Sequence, residues 1–279
     1  MRKFLKAFLP PIVICVIRKL CRKRYLVVKG NYQSYQAANQ FLKARGLENY
    51  SSDVILQRVY SAIEQVRLGK AKFERDSVLF DTKEYNYPLL ANVMYALSSF
   101  PRNEYINILD FGGSLGSSFF QNRDRLLGYK YKWHIVEQVN FVEFGRSHIL
   151  EIIFHNSIED YIKNNGCDMC ILSSVIQYFD EPYDWLRRIL VCKFKYIIVD
   201  RTLFNPGEGE RCGIQYVPPE IYDAQYPIWL LSRQKVVDFI GSFGYELEDE
   251  WKSFDMMPVR SGIFSEEVVQ SEGFLFRLK

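Results

Sequence analysis

Hydrophobic positions follow different rules in different parts of the chain. Over 34–45, Tyr35, Ala38, Phe41 and Leu42 recur at helical spacing, and Gly46 supplies a stop. Over 52–68, Val54, Ile55, Val59, Ala62, Ile63 and Val66 form a second stripe ending at Gly69. A third helix is predicted from Pro88 to Leu97, so the chain up to about residue 100 reads as helical. From Tyr105 onward the pattern changes. Short apolar runs at 106–110, 132–137, 151–154, 168–173 and 195–200 alternate with helix-like segments near 116–126, 139–149, 157–164 and 182–191. This alternation predicts an α/β domain, a parallel sheet with helices on both faces. The tail differs again. A helix is predicted from the N-cap Ser232 to Gly241, and two strand-like runs, 244–253 and 272–279, follow with no helix between them. They predict an antiparallel pair completing a seven-stranded sheet. The expected organisation is a basic, apolar segment at 1–24, a helical extension at 25–100, and the α/β domain at 101–279 with an insertion at 201–229.

Charge changes this picture at one end only. The whole chain carries +3, but residues 1–24 hold eight Lys and Arg and no acid, so the remainder stands at −5. An acidic body gives no case for nucleic acid as a partner. The uninterrupted apolar run at 7–17 is 11 residues, short of the ~20 needed to cross a bilayer. No small-residue cleavage site follows it, which argues against a signal peptide. Basic flanks around an apolar run suit peripheral contact with anionic lipid, on the inner face of the plasma membrane of an otherwise cytoplasmic protein. A helix docked on the body with solvated lysines explains the same residues. Six cysteines lack framework spacing. The single CxxC, Cys167 to Cys170, falls on a predicted strand that turns the two thiols to opposite faces, so buried thiols are expected rather than a metal site.

The candidate chemistry is concentrated where the first parallel strand ends. Ile108-Leu109-Asp110 runs into Phe111-Gly112-Gly113-Ser114-Leu115-Gly116, an acid followed by three glycines before a helix. Glycines allow a tight turn and close approach of a ligand to the backbone, and ligands of open parallel sheets bind outside the strand ends. The spacing departs from the G-x-G-x-x-G dinucleotide fingerprint. A carboxylate at Asp110 repels pyrophosphate and attracts a cofactor with an amine and a sulfonium, as in S-adenosyl-L-methionine. Glu137, 27 residues later at the next strand end, is placed to accept both ribose hydroxyls, with Gln138 beside it. Asn156 and Ser157 fall where an adenine edge would lie, although Ser157 with Asp160 equally fits a capping box. Ser173 and Ser174 follow the next strand, beside the reacting group.

Six segments carry a resemblance: FERDSVLFD (73–81), ILDFGGSLGSSFFQN (108–122), WHIVEQ (133–138), SSVIQYFDEP (173–182), IIVDRTLFN (197–205) and VPPEIYDAQYPIWLLS (217–232). Through them nearly the whole chain resembles a family of methyltransferases associated with bacterial surface-polysaccharide (O-antigen-type) biosynthesis. Against the common G-x-G-x-G turn, Ser114 replaces the middle glycine and Gly113 is extra. The resemblance implies a Rossmann-like class I methyltransferase fold, S-adenosyl-L-methionine as cofactor, and a glycan or glycan precursor as acceptor.

A sugar hydroxyl must lose a proton as it attacks, which calls for a base near the strand ends. Asp200 is the first choice, with Arg201 beside it to hold an anionic acceptor such as a uronate or phosphate. A structural Asp–Arg pair is the competing reading. His155, Tyr216 and Tyr222 are further base candidates. Gln177 and Tyr178 are expected to face the acceptor, and the insertion, with Tyr226 and Trp229, to form a lid over it. Two other functions fit the residues less well: a protein that binds the cofactor or a membrane without chemistry, and an NAD-dependent sugar-modifying enzyme.

Overall fold

The structure is a computed structural model that describes residues 26–47, 52–75, 77–82, 85–219, 221–222, 224–262 and 265–279. The basic segment at 1–24 lies outside the described residues.

Five parallel strands form the centre. They are β4 (Ile106–Phe111), β5 (Tyr131–Val136), β6 (Ile153–His155), β7 (Met169–Ser173) and β8 (Tyr196–Thr202), in spatial order β6-β5-β4-β7-β8. Their side chains alternate between two cores. Ile108, Ile135, Ile171 and Ile198 face one side, with α2 (Ser52–Arg67), α3 (Tyr87–Ser98), α4 (Ser117–Asn122) and α5 (Val139–His148). Leu109, Val136, Leu172 and Val199 face the other, with α6 (Ile158–Ile162), α7 (Pro182–Leu190) and α8 (Arg233–Gly241). Burial on both faces explains why these strands read as continuous apolar runs. Each fully buried Ile or Leu contributes roughly 1.5–3 kcal/mol.

The tail forms the antiparallel pair expected of it. β11 (Tyr245–Arg260) and β12 (Glu266–Leu278) pair with each other, and β12 inserts antiparallel between β8 and β11. Counted from β4, the order is 3-2-1-4-5-7-6, which makes the α/β core Rossmann-like. Among the described residues, however, the sheet has ten strands and not seven. β1 (Val27–Tyr32), β9 (Arg211–Val217) and β10 (Ala224–Leu230) continue it as β10-β9-β1-β11.

Two expectations are corrected here. The N-terminal part is not wholly helical. β1 pairs with β9 and β11, and β2 (Phe73–Arg75) with β3 (Val78–Phe80) makes a separate hairpin. The insertion expected to form a lid carries β9 and β10, an antiparallel hairpin that extends the sheet. Helices start where their caps predict. Ser34 accepts the Ala37 N–H at 3.0 Å to begin α1 (Tyr35–Ala44), and Ser232 accepts that of Lys235 at 3.4 Å. Among the described residues no helix is long and apolar enough to cross a membrane.

Candidate cofactor site

The strand order reverses between β4 and β7, and the crevice at their C-terminal ends is a cavity of about 680 Å³, within the ~300–1,000 Å³ of small-molecule sites. The glycine bend forms its floor. The Gly112 N–H donates to the Val136 carbonyl at 2.9 Å, tying the bend to β5. Gly112 has φ +73°, and a Cβ there would meet Val175 Cγ2 at 2.4 Å. A Cβ on Gly113 would meet the Asp110 carboxyl at 2.5–2.9 Å, so the acid lies directly beneath the bend. Ser114 has φ +53°, and thus adopts the left-handed backbone at the position where the common turn carries glycine. Left-handed backbone costs a non-glycine residue about 1–2 kcal/mol, and glycine returns ~0.4–1 of that through the unfolded chain. Ser114→Gly is therefore expected to stabilise the protein by roughly 0.5–1 kcal/mol, read from urea unfolding. A loss of stability would remove the strain argument.

Gly112, Gly113 and Ser114 line the cavity together with Asp110, Glu137, Gln138, Asn156, Ser157, Ser173 and Ser174. Gly116 does not. It caps α4 at φ +97° and packs on Ile152. Asp110 is 1% exposed, and among the described residues its buried Oδ2 has no hydrogen-bond partner. Desolvation pushes its carboxyl up to about 7, against a smaller downward pull from the Trp133 indole N–H and with a small upward push from the Glu137 charge. Glu137 is also raised by burial, opposed by the backbone N–H groups of Gln138 and Ser114. The Gln138 bond is 2.5 Å. The second acid is thus held against the bend. Ser157 Oγ accepts the Asp160 N–H at 3.1 Å, so the capping reading holds while the residue still lines the cavity.

On the acceptor side several expectations are corrected. Asp200 is fully buried and does not line the cavity. Its carboxylate accepts from Asn86 Nδ2 (2.7 Å), Ser173 Oγ (3.1 Å), Trp251 Nε1 (3.0 Å) and Ser253 Oγ (3.1 Å). A carboxylate saturated this way holds elements together and is not placed to take a proton from an acceptor. Gln177 is buried too. Its Oε1 accepts the Leu203 N–H at 3.2 Å, and its Nε2 donates to the Arg201 carbonyl at 3.4 Å, so it clamps β8 instead of facing an acceptor. Arg201 lines the cavity but is ion-paired with Asp255. His155 lies outside the cavity wall, in a hydrogen bond of 3.0 Å between its Nε2 and His134 Nδ1. Tyr216 lies outside it as well, beneath the Lys29 ammonium. Trp229 donates its indole N–H to the Phe179 carbonyl at 3.1 Å.

Of the tyrosines expected to meet an acceptor, Tyr178, Tyr222 and Tyr226 do line the cavity. Tyr178 O–H donates to Gln215 Oε1 (3.2 Å), Gln215 Nε2 donates to the Tyr226 hydroxyl (3.1 Å), and Tyr226 lies 3.2 Å from the Tyr222 hydroxyl. Tyr35 O–H donates to the Tyr178 carbonyl at 2.8 Å, tying α1 to this wall.

No family model matches the sequence, and no curated protein matches it. Several solved structures are similar over much of the chain. A 1,6-didemethyltoxoflavin-N1-methyltransferase from Burkholderia thailandensis, with S-adenosylhomocysteine bound, is 11% identical with a TM-score of 0.44, over 80% of this chain and 88% of that one. An S-adenosylmethionine-dependent methyltransferase from Clostridium acetobutylicum is 10% identical with a TM-score of 0.41, over 80% and 98%. A pericyclic reaction enzyme is 13% identical with a TM-score of 0.47, over 88% of this chain and 63% of that one. Scores below 0.5 carry nothing about ligand or reaction.

The cavity also gathers residues that the sequence did not single out as site residues. Tyr35, Ile55 and Val59 come from α1 and α2, and Glu74 and Ser77 from the β2–β3 hairpin. One backbone signal marks them. Among the described residues five non-glycines have left-handed φ: Ser77 (+67°), Ser114, Ser174 (+53°), Lys193 (+59°) and Arg201 (+49°). All but Lys193 line the cavity. Strained backbone clusters where structure serves a ligand.

Proposed function

We propose that this chain is an S-adenosyl-L-methionine-dependent methyltransferase acting on a sugar hydroxyl of a surface-polysaccharide or lipid-linked glycan intermediate. The observation that carries the cofactor assignment is the buried Asp110 Oδ2, without a hydrogen-bond partner among the described residues, under an open glycine bend, with Glu137 on the same cavity. An acid this deep favours a ligand that brings positive charge. Glu137 is placed for a ribose diol, and Asn156 with Ser157 for the adenine edge. The bound cofactor would supply an electrophilic methyl group. The protein's part is alignment, worth up to ~7–11 kcal/mol when reactants are held in place. Tyr178, Tyr222 and Tyr226 present hydroxyls and ring faces to the acceptor, which suits a polyhydroxylated ring. Because Asp255 already meets the Arg201 charge, a neutral sugar fits this wall better than an anionic one.

Calorimetry tests the cofactor. S-adenosylmethionine and S-adenosylhomocysteine are expected to bind and NAD is not, and binding of NAD alone would overturn the reading. Glu137→Ala is expected to weaken S-adenosylhomocysteine by about tenfold or more, the loss of one or two charge-assisted bonds of ~1.5–3 kcal/mol each. For the acceptor, glycans of a deletion strain and its parent should differ by a methyl group.

A further inference from the structure

A third carboxylate lines the cavity, and it comes from the β2–β3 hairpin and not from the sheet. Glu74 is the middle residue of β2 and is 2% exposed. Its orientation opposes what burial alone prefers. Glu74 sits opposite Leu79 in the hairpin register, so the two share a face, yet Leu79 is 45% exposed. The hairpin hides the acid and shows the leucine. A buried charge is the informative residue of such a pair. The apolar anchoring of the hairpin is on its other face, where the Phe73 and Phe80 rings stack at 5.6 Å. Glu74 Oε2 accepts the Ser77 N–H at 3.2 Å, and Ser77 is one of the strained residues of the cavity wall.

The location narrows the ligand group. The hairpin packs on α4, whose first residues Ser117 and Ser118 follow the glycine bend and line the cavity, and on α2, which contributes Ile55 and Val59. Along the strand ends Ser157, Glu137, the bend and Ser173 succeed one another, so a nucleoside at Glu137 leaves the bend and the start of α4 for the rest of the cofactor. Among the described residues the charged groups of the cavity wall are Glu74, Asp110 and Glu137 and the guanidinium of Arg201, which is ion-paired with Asp255. That balance suits a cationic ligand.

We propose that Glu74 binds the α-ammonium group of S-adenosylmethionine, so that the β2–β3 hairpin is the clamp on the amino-acid end of the cofactor. The proposal rests on the cofactor reading above. Calorimetry with two ligands tests it: S-adenosylhomocysteine, and 5′-methylthioadenosine, which keeps the nucleoside and lacks the amino-acid end. Glu74→Gln is expected to weaken S-adenosylhomocysteine by about tenfold or more and to leave 5′-methylthioadenosine within about twofold. Glu137→Ala is expected to weaken both alike. Unchanged S-adenosylhomocysteine affinity in Glu74→Gln, or equal loss of both ligands, would overturn the assignment. A measurement on the wild-type protein does not depend on the variant folding. The S-adenosylhomocysteine analogue that lacks only its amino group is expected to bind about tenfold or more weakly than the parent, and equal binding would also overturn it. Should the wild-type protein bind neither nucleoside, the cofactor reading fails. Should it bind both while Glu74→Gln changes nothing, only the clamp fails.

Discussion

Asp200→Ala is expected to lower stability by about 3–5 kcal/mol, the usual cost of taking one partner out of a buried charged network. All four donors meet at this one carboxylate, and they come from separate parts of the fold. Asn86 is the N-cap of α3, Ser173 ends β7, and Trp251 and Ser253 lie on β11. Their bonds of 2.7–3.1 Å converge on an atom pair without exposure. Alanine leaves all four donors without their shared acceptor, and two of them, Asn86 and Ser253, are buried, at ~1–3 kcal/mol for each buried group left unsatisfied and unrelaxed. Burial raises the pKa of Asp200, while Trp251, Arg201, Ser253 and Ser173 oppose the rise. Asp200→Asn keeps the volume but turns an N–H₂ group toward a donor, and an intermediate loss is expected. Urea unfolding of the two variants measures both losses. An alanine variant as stable as the wild type but without turnover would return Asp200 to the role of base.

That correction shows which parts of the molecule were legible in the sequence. Asp200 closes an apolar strand, and nothing local distinguishes a strand-end acid that faces a cleft from one that faces inward. Its partners Trp251 and Ser253 arrive from a strand fifty residues on. There the register of β11 slips between Lys252 and Met256 against β12, an irregularity that re-aims side chains and leaves no pattern in sequence. The central strands were readable because burial on two faces gives uninterrupted apolar runs. The glycine bend with Asp110 and Glu137 was readable because each residue sits a fixed step beyond such a run. β1, β9 and β10 were not readable. Val28 finds its partners at Gln215 and Val259, separations that no local window spans. β10 contains Pro227, which argues against a strand unless the strand is at an edge, and β10 is the edge of the sheet. Glu74 was hidden for a related reason, since its burial depends on α2 and α4 closing over a three-residue strand.

Asp110→Asn is expected to act in opposite directions on stability and on cofactor affinity. The carboxyl titrates near 7 in the folded protein against 3.8 as its ordinary value. For an acid shifted upward, the folded state is favoured fully below the ordinary pKa, and that advantage is lost as pH rises through 4 to 7. Above pH 7 the ligand-free protein holds a desolvated charge, and asparagine removes it. The gain is roughly 2–4 kcal/mol at pH 8, the upper figure being the whole shift at 1.36 kcal/mol per unit. Binding of S-adenosylmethionine runs the other way. Its sulfonium and ammonium favour the ionised carboxylate, so below pH 7 binding must release a proton. Affinity is therefore expected to rise by up to about tenfold between pH 6 and pH 7 and to level off above. In Asp110→Asn that slope should vanish, and at pH 8 the Kd should be weaker by about tenfold or more, the loss of one charge-assisted contact. Thermal unfolding and calorimetry on the same preparations at pH 6, 7 and 8 separate the two effects. A variant that gains stability yet binds the cofactor with wild-type affinity and wild-type pH slope would mean that the buried acid is only a strained structural residue, and the sulfonium would then have no counter-charge beneath the bend.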